Sequence, residues 1–115
     1  MVYEIRRAVA CRRDLESIFD HLLNAYGDLG ASPQEAFDQA VNRLHGIEED
    51  IDALARQPHQ GTLWPEVMDG LRWVTRRRAI FYFRIDETAR RIDLLAVFFG
   101  GQDHKVQILA RIRQG

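Results

Sequence analysis

The spacing of apolar residues changes along the first half of the chain. Residues Val2–Arg7 alternate between apolar and polar positions, which predicts a strand. From about residue 13 to Tyr26, apolar residues recur at intervals of three and four, as on one side of an amphipathic helix. Gly27 and Gly30 follow, and glycine readily adopts the left-handed conformation that ends helices. The chain is therefore predicted to open with a strand and a helix.

A second helix is predicted from a sequence pattern typical of helix N-termini. Ser32 and Glu35 have the spacing of a capping box, and Pro33 suits the first helical position. An apolar stripe continues to about Arg56, with acidic residues on the opposite side. Because the linker between the two helices is short, we expect them to form an antiparallel hairpin.

Strand-like segments dominate the second half. Gln57–Gly70 is rich in proline and glycine and predicts a long loop. Three strands are predicted at Leu71–Arg77, Ala79–Asp86 and Arg91–Phe99, with a turn at Asp86–Arg90. Segments this close in sequence must pair antiparallel, because a parallel return needs a crossover of about a dozen residues or more.

Beyond these strands, Gly100-Gly101 predicts a break and Lys105–Arg113 a short helix or tail. The order β-α-α-β-β-β predicts an α+β fold, an antiparallel sheet with the helical hairpin packed on one face. A chain of 115 residues can bury its own core, so a single domain over residues 1–115 is expected.

Several classes of protein are disfavoured by composition. No apolar run is long enough to cross a membrane, and no cationic segment followed by an apolar stretch opens the chain, so a cytoplasmic protein without a membrane partner is expected. His21 and His45 lack a second ligand at helical spacing, and no phosphate-loop or dinucleotide motif is present. Neither a metal nor another cofactor is predicted.

Charge is divided unevenly along the chain, although the net charge is only −1. Residues 1–70 hold 6 Arg and 13 acidic residues, a balance of −7, whereas residues 71–115 hold 10 basic and 4 acidic residues, a balance of +6. Two interpretations stay open. The C-terminal half contacts something anionic, or the two halves complement each other in the fold.

Arginines are dense on and beside the first of the three C-terminal strands. Strand alternation puts Arg76 and Arg78 on one face and Arg77 on the other. Arg72 and Arg76, with Arg78 beside them, are expected on the face opposite the helices. Guanidinium groups bind phosphate or carboxylate with two parallel hydrogen bonds, so this face is a candidate for RNA, DNA or an acidic peptide. The alternative is a solvated face or salt bridges to the acidic helices.

A candidate catalytic group follows the last strand. RNA cleavage without a metal needs a base, an acid and cations around the phosphate. His104, Tyr82 and Arg76 have suitable chemistry, and Asp103 could orient the imidazole. The competing interpretation is structural, with Asp103 as the N-cap of a terminal helix. Trp64 and Trp73 are interpreted as core or loop anchors, or as interface residues if exposed.

The order of these segments resembles one known family. The run Gly70–His104, GLRWVTRRRAIFYFRIDETARRIDLLAVFFGGQDH, and the opening VYEIRRAVACRRDLESIFDHL are similar to the RelE/ParE toxins of bacterial toxin–antitoxin systems. The resemblance extends over the full length and implies the same β-α-α-β-β-β architecture. It also implies a toxin held inactive by a small cognate antitoxin, with higher-order toxin–antitoxin assembly possible.

The two branches of that family act differently. RelE-like members are ribosome-dependent mRNA endonucleases and are usually strongly basic, whereas ParE-like members bind and inhibit DNA gyrase. The near-neutral charge, the absence of a lysine cluster and the long hairpin favour the ParE-like branch. On that interpretation no residue is catalytic. The residues expected to bind partner or target are Arg72, Trp73, Arg76, Arg78 and Arg84. On the alternative, a RelE-like nuclease, the catalytic residues are Arg76, Tyr82, Asp103 and His104.

Overall fold

A five-stranded sheet carries two helices on one face and a third helix on the other. The computed structural model describes residues 2–100 and 103–114. In chain order the elements are β1 Glu4–Arg7, α1 Ala10–Asp28, α2 Pro33–Leu54, β2 Thr62–Leu63, β3 Leu71–Arg76, β4 Ala79–Asp86, β5 Arg91–Phe99 and α3 His104–Gln114. The strands lie in the order β1-β5-β4-β3-β2. The α+β architecture predicted from the sequence is confirmed.

Pairing between strands differs from the prediction at one edge. β3, β4 and β5 form the antiparallel meander that their short connections require. β1, however, pairs with β5 in parallel, from Glu4 opposite Arg91 to Arg7 opposite Leu94. The sheet is therefore mixed rather than wholly antiparallel. Short connections determine the pairing of β3, β4 and β5 but not that of β1, because both helices and three strands separate β1 from β5 in the sequence.

The long loop and the predicted breaks also differ in detail. Thr62 and Leu63 form the short strand β2 on the edge of β3, within a segment predicted to be loop throughout. Gly100 has a left-handed backbone, with φ of 77°, and ends β5. Gly101, predicted with it as the break, and Gln102 lie outside the described residues. Among the residues described, no helix has the length and apolar character needed to cross a membrane.

The start of α2 follows the sequence signal. The Ser32 hydroxyl accepts from the Glu35 amide at 3.2 Å, and the Glu35 carboxylate accepts from the Ser32 amide at 3.0 Å. Two amides at the helix start, where no intrahelical acceptor exists, are satisfied in this way. The predicted capping box is confirmed.

Two apolar layers share the sheet between them. Side chains of one face, including Phe81 and Phe83 of β4, pack against α1 and α2. Side chains of the other face, including Tyr82, pack against α3 and the loop before β3. Residues alternate between the faces of a strand, so a strand buried on both sides is apolar at every position. This explains the unbroken apolar run of β4. We call the two faces the hairpin face and the α3 face.

A bulge in β5 helps to hold α3 in place. Tyr82 pairs with Ala96 but Phe83 pairs with Leu94, so Leu95 is the extra residue. The Leu95 carbonyl accepts from Arg111 of α3 at 3.0 Å. β1 ends opposite Leu94, and no strand of the described residues pairs with the β5 edge beyond that point.

A buried carboxylate from α1 occupies that unpaired edge. Asp14 accepts from the Val97 amide at 3.0 Å and from Arg111 at 2.6 Å. The same two oxygens therefore satisfy a strand amide and form an ion pair with α3. A helix on one face of the sheet is thus connected around its edge to a helix on the other.

Candidate partner-binding surfaces

The arginine-rich segment between β3 and β4 is a turn. Arg77 and Arg78 both have left-handed backbones, with φ of 48° and 73°. They form a two-residue connection between Arg76 and Ala79, which pair with each other. The prediction that they continue a strand on alternating faces is wrong. The register of the hairpin makes them the turn, a position that usually takes Asn or Gly.

Arg72 and Arg76 share a face, as predicted, but it is not the predicted one. Arg72 lies opposite Phe83, and Arg76 lies opposite Ala79. Both of those partners belong to the layer beneath α1 and α2. The arginines are therefore on the hairpin face, because Leu71 and Trp73 occupy the alternate positions on the α3 face. The Arg72 side chain donates to the His59 carbonyl at 3.1 Å, and Arg76 donates to the Gln60 side chain.

Tyr82 and His104 meet on the α3 face. The Tyr82 hydroxyl lies 2.8 Å from His104 Nδ1. Burial raises the pKa of Tyr82 to about 12, with a further contribution from the Asp103 carboxylate. Burial, together with the nearby Lys105 ammonium, lowers the pKa of His104. At neutral pH the hydroxyl is therefore protonated and the imidazole mainly neutral, and the imidazole tautomer sets which of the two donates.

The four residues of the predicted nuclease set are not assembled around one point. Tyr82 and His104 are in contact, but the Tyr82 side chain has 0% exposure. Arg76 lies on the other face of the sheet. The Asp103 carboxylate accepts from the Val106 amide at 3.4 Å, as an N-cap side chain does. Within the described residues, no cluster of His, Cys, Asp or Glu could hold a metal ion.

An aromatic and cationic cluster lies beside this pair. The Lys105 ammonium is 5.8 Å from the Trp64 ring and 5.7 Å from the Trp73 ring. The Trp73 ring lies 5.2 Å from the His104 ring. Both tryptophans are partly exposed. No local sequence pattern predicts this cluster, because its members come from a loop, a strand and a helix.

The helix α3 covers only part of the α3 face of the sheet. Arg84 lies here opposite Asp93, which is paired with Arg91 at 2.8 Å. A cavity of about 300 Å³ lies beside it. Its lining is Arg6, Arg7, Ala8, Met68, Arg84, Asp93, Leu94 and Leu95. Trp73 and Arg84 are therefore on one face, and Arg72, Arg76 and Arg78 are on the other side of the sheet.

A second open surface is an apolar groove on the helical hairpin, which the sequence analysis did not identify. Its volume is about 690 Å³. Its lining is Arg7, Ala8, Val9, Arg12, Leu15, Glu16, Phe19, Leu44 and Glu48. Val9, at the rim, is 94% exposed. A valine immediately before a helix, outside the buried stripe, was the available signal for exposed apolar surface.

Comparison with known proteins gives matches among solved structures. No family model and no curated protein matches the chain. A chain in the crystal structure of the toxin–antitoxin complex RelBE2 from Mycobacterium tuberculosis is 18% identical, with a TM-score of 0.57. That match covers 87% of this chain and 100% of the other.

A second match is a chain in the structure of a chromosomal ParDE toxin–antitoxin system from P. aeruginosa. It is 19% identical, with a TM-score of 0.64 over 85% of this chain and 96% of the other. Identities this low establish the architecture alone. The architecture shared with these two chains is the RelE/ParE toxin fold, and the protein therefore has that fold.

Proposed function

We propose that the protein is the toxin of a type II toxin–antitoxin system, and that it acts in the cytoplasm by binding and inhibiting DNA gyrase. The fold it shares with chains from two toxin–antitoxin complexes supports the first part. Its surface supports the second, because the residues that an RNA-cleaving site would need are not together.

A small antitoxin is the proposed partner. A monomeric protein seldom leaves a large apolar surface uncovered unless it binds something. Here the groove beside Val9 and the open part of the α3 face, with Trp73 and Arg84, are both available. An antitoxin segment with apolar side chains and some acidic ones would complement these surfaces. No covalent chemistry or cofactor is part of this proposal.

The burial of Tyr82 is the observation that favours gyrase inhibition over RNA cleavage. A general acid must reach the leaving oxygen of the substrate, within about 3 Å. Tyr82 has 0% exposure and its hydroxyl is already bonded to His104. Arg76, the cation proposed for the phosphate, lies across the sheet from that hydroxyl. One phosphate cannot contact both groups.

A RelE-like nuclease is the second candidate, favoured by the Tyr82–His104 contact beside Asp103. The two candidates separate in a paired assay of the purified protein. One arm measures supercoiling by gyrase, and the other measures ribosome-dependent cleavage of mRNA. We expect inhibition of supercoiling at micromolar protein and no cleavage.

His104→Ala tests the same choice at one residue. On the gyrase proposal, the variant still arrests growth and still inhibits supercoiling. Loss of a general acid or base costs about 10²–10⁴-fold in rate, so a nuclease would lose its activity. His45→Ala, a change at an exposed histidine of α2, is the control. Two results would favour the nuclease over the gyrase inhibitor. One is a folded His104→Ala protein without toxicity, and the other is unchanged supercoiling together with ribosome-dependent cleavage.

A further inference from the structure

Five arginines line the seam between α2 and the β3–β4 turn. They are Arg43, Arg56, Arg76, Arg77 and Arg78, and we call them the arginine seam. Arg43 lies on α2 and Arg56 follows its C-terminal end, whereas the other three belong to β3 and the turn. At a rise of about 1.5 Å per residue, the stretch of α2 between Arg43 and Arg56 is roughly 20 Å long.

The turn is held firmly against α2. The Arg77 guanidinium binds the Asp50 carboxylate at 3.0 Å and the Gly46 carbonyl at 3.1 Å. The Arg43 guanidinium donates to the Arg77 carbonyl. A Cβ at position 46 would lie 3.4 Å from an Arg77 nitrogen, so the Arg77 side chain packs against α2 at van der Waals distance. The seam is therefore a preformed surface.

Arg43 and Arg78 converge on one aromatic ring. Their guanidinium carbons lie 5.4 Å and 5.7 Å from the centre of the Phe99 ring. Stacking on a ring orients a guanidinium and leaves its N–H edge able to donate. Within the described part of the chain, Arg77 pairs with a carboxylate, and the ion pairs include none of the other four seam arginines. Most of the seam's positive charge is therefore available to a ligand.

The backbone conformation of the turn also points to a use for these side chains. Arginine is a poor choice for two successive left-handed positions, where Asn-Gly is favoured. Residues held in such conformations reduce stability and are found at functional sites. Here the two left-handed residues, Arg77 and Arg78, place their guanidiniums at the seam.

We propose that the arginine seam binds the phosphate backbone of duplex DNA. The choice of DNA rests on the proposed function, because gyrase acts on DNA, and the seam would contact DNA held by that target. Duplex DNA carries one negative charge per roughly 1.7 Å of its axis, so a preformed set of guanidiniums beside a stretch of helix roughly 20 Å long can contact several phosphates.

Other polyanions fit the seam less well. Single strands are held largely by stacking of bases on exposed aromatic rings. The ring at the seam, Phe99, is only 6% exposed and is already covered by two guanidiniums. An acidic peptide would need a pocket for apolar side chains. The neighbouring cavity of about 350 Å³ is lined mainly by polar residues, among them Asp50, Gln57 and Gln60.

The near-neutral charge of the whole protein lowers the affinity of the seam for DNA but does not prevent binding. At an ionic strength of 0.1 M, exposed charges farther apart than about 10 Å are largely screened from each other. Acidic residues on the distant side of the hairpin therefore have little effect on a phosphate at the seam. We expect weak affinity for free DNA, which increases at low salt.

The test uses fluorescence anisotropy of a labelled DNA duplex with the full-length protein over a series of KCl concentrations. Arg78→Gly removes one seam guanidinium and at the same time relieves a left-handed arginine. We expect weaker DNA binding, a slope of log K against log salt smaller by about 0.9, and a higher melting temperature. Arg43→Gln should reduce the slope similarly without the gain in melting temperature.

Arg90→Gly is the matched control. Arg90 also has a left-handed backbone, with φ of 52°, but it lies in the β4–β5 turn at the other end of the sheet. Its replacement changes the net charge and the backbone strain in the same way, and DNA affinity should stay at the wild-type value.

Several results would contradict the proposal that the arginine seam binds duplex DNA. They are the absence of wild-type binding at low salt, equal effects of Arg78→Gly and Arg90→Gly, and tighter binding of single-stranded RNA, duplex RNA or polyglutamate than of duplex DNA. Gyrase is absent from this assay. If the protein does not inhibit gyrase but Arg78→Gly weakens DNA binding, only the proposed function is rejected. If the protein inhibits gyrase but Arg78→Gly leaves DNA binding unchanged, only the proposal of DNA binding at the seam is rejected.

Discussion

The Tyr82–His104 contact illustrates how one environment changes two residues. Tyr82 loses all contact with solvent beneath α3, which raises the pKa of its hydroxyl and keeps it protonated. The same environment lowers the pKa of His104, because burial disfavours the charged imidazolium. A protonated imidazole donates through both ring nitrogens, so the Tyr82 hydroxyl would then have to accept. The contact therefore depends on pH through the cost of burying the His104 charge.

We expect this contact to make stability depend on pH in a defined direction. The pKa of folded His104 lies below its ordinary value of about 6.5, so the unfolded chain binds the proton more readily. The contribution is complete above about pH 6.5 and decreases as the pH falls towards and through the folded pKa. Urea unfolding at about pH 7.5 and 5.5 should show a larger loss for wild type than for His104→Ala.

His45→Ala is the control for this measurement, because His45 is an exposed residue of α2. It should lose as much stability as the wild type over the same pH range. If His104→Ala also lost the full wild-type amount, the titration of His104 would not be the cause.

At the scale of elements, the C-terminal part of α3 is held on the sheet by one buried side chain and one arginine. Ile108 is buried in the α3-face layer, and Arg111 reaches the Leu95 carbonyl and Asp14. The position of α3 thus depends on a carboxylate from α1, which also satisfies the Val97 amide. The β5 bulge and the early end of β1 create the gap that Asp14 fills. Three elements that are distant in sequence therefore depend on one side chain.

Removal of that carboxylate should destabilise the protein strongly. Asp14→Ala leaves the Val97 amide without its acceptor and the partly buried Arg111 with only the Leu95 carbonyl, and we expect a loss of about 2–3 kcal/mol in the free energy of unfolding. Asp14→Asn keeps an acceptor for Val97 and should cost less. Urea unfolding measures both losses, and hydrogen exchange should show earlier opening of α3 amides.

Glu16→Ala provides the comparison for Asp14. Glu16 forms an ion pair with Arg12 on the same helix, but both side chains are largely exposed. Exposed pairs contribute between about 0 and 1 kcal/mol, so this loss should be small. Similar losses at positions 14 and 16 would contradict the role given to Asp14.

At the scale of the whole molecule, the uneven charge along the sequence is partly balanced inside the fold. Among the described residues, the ion pairs Arg77–Asp50 and Arg111–Asp14 join the basic half to the acidic half. Arg76 and Arg78 of the arginine seam stay exposed. Apolar surface is concentrated elsewhere, in the groove beside Val9, so the proposed antitoxin and the proposed DNA have separate places to bind.

We expect Val9→Asp to weaken antitoxin binding. A carboxylate at the rim of an apolar groove would be desolvated by a docked apolar side chain, at a cost of several kcal/mol if unpaired. Folding should be preserved, because Val9 is 94% exposed and precedes α1, where Asp is a favoured residue. The measurement is co-purification and affinity with the proposed antitoxin.

Val2→Asp is the matched control, since Val2 is also exposed, at 67%, but does not line the groove. The two variants have the same chemistry and net charge. Equal affinities for Val9→Asp, Val2→Asp and wild type would show that the antitoxin does not use this groove.

The features determined by the sequence itself are those that arise from neighbouring residues. The capping box needs Ser32 and Glu35 on one helical turn, and helix stripes and strand alternation need only the local period. The antiparallel order of β3, β4 and β5 also follows, because short connections leave no other pairing. Together these gave the α+β fold and the candidate residues.

Only the tertiary structure decided where those residues act. The register of β3 against β4 put Arg77 and Arg78 in a turn, and Arg72 on the hairpin face. The parallel position of β1 and the Tyr82–His104 contact depend on elements separated by long stretches of chain. A shift of one residue in a strand moves every side chain to the other face. Such choices are made by packing across the whole core, and no local pattern contains them.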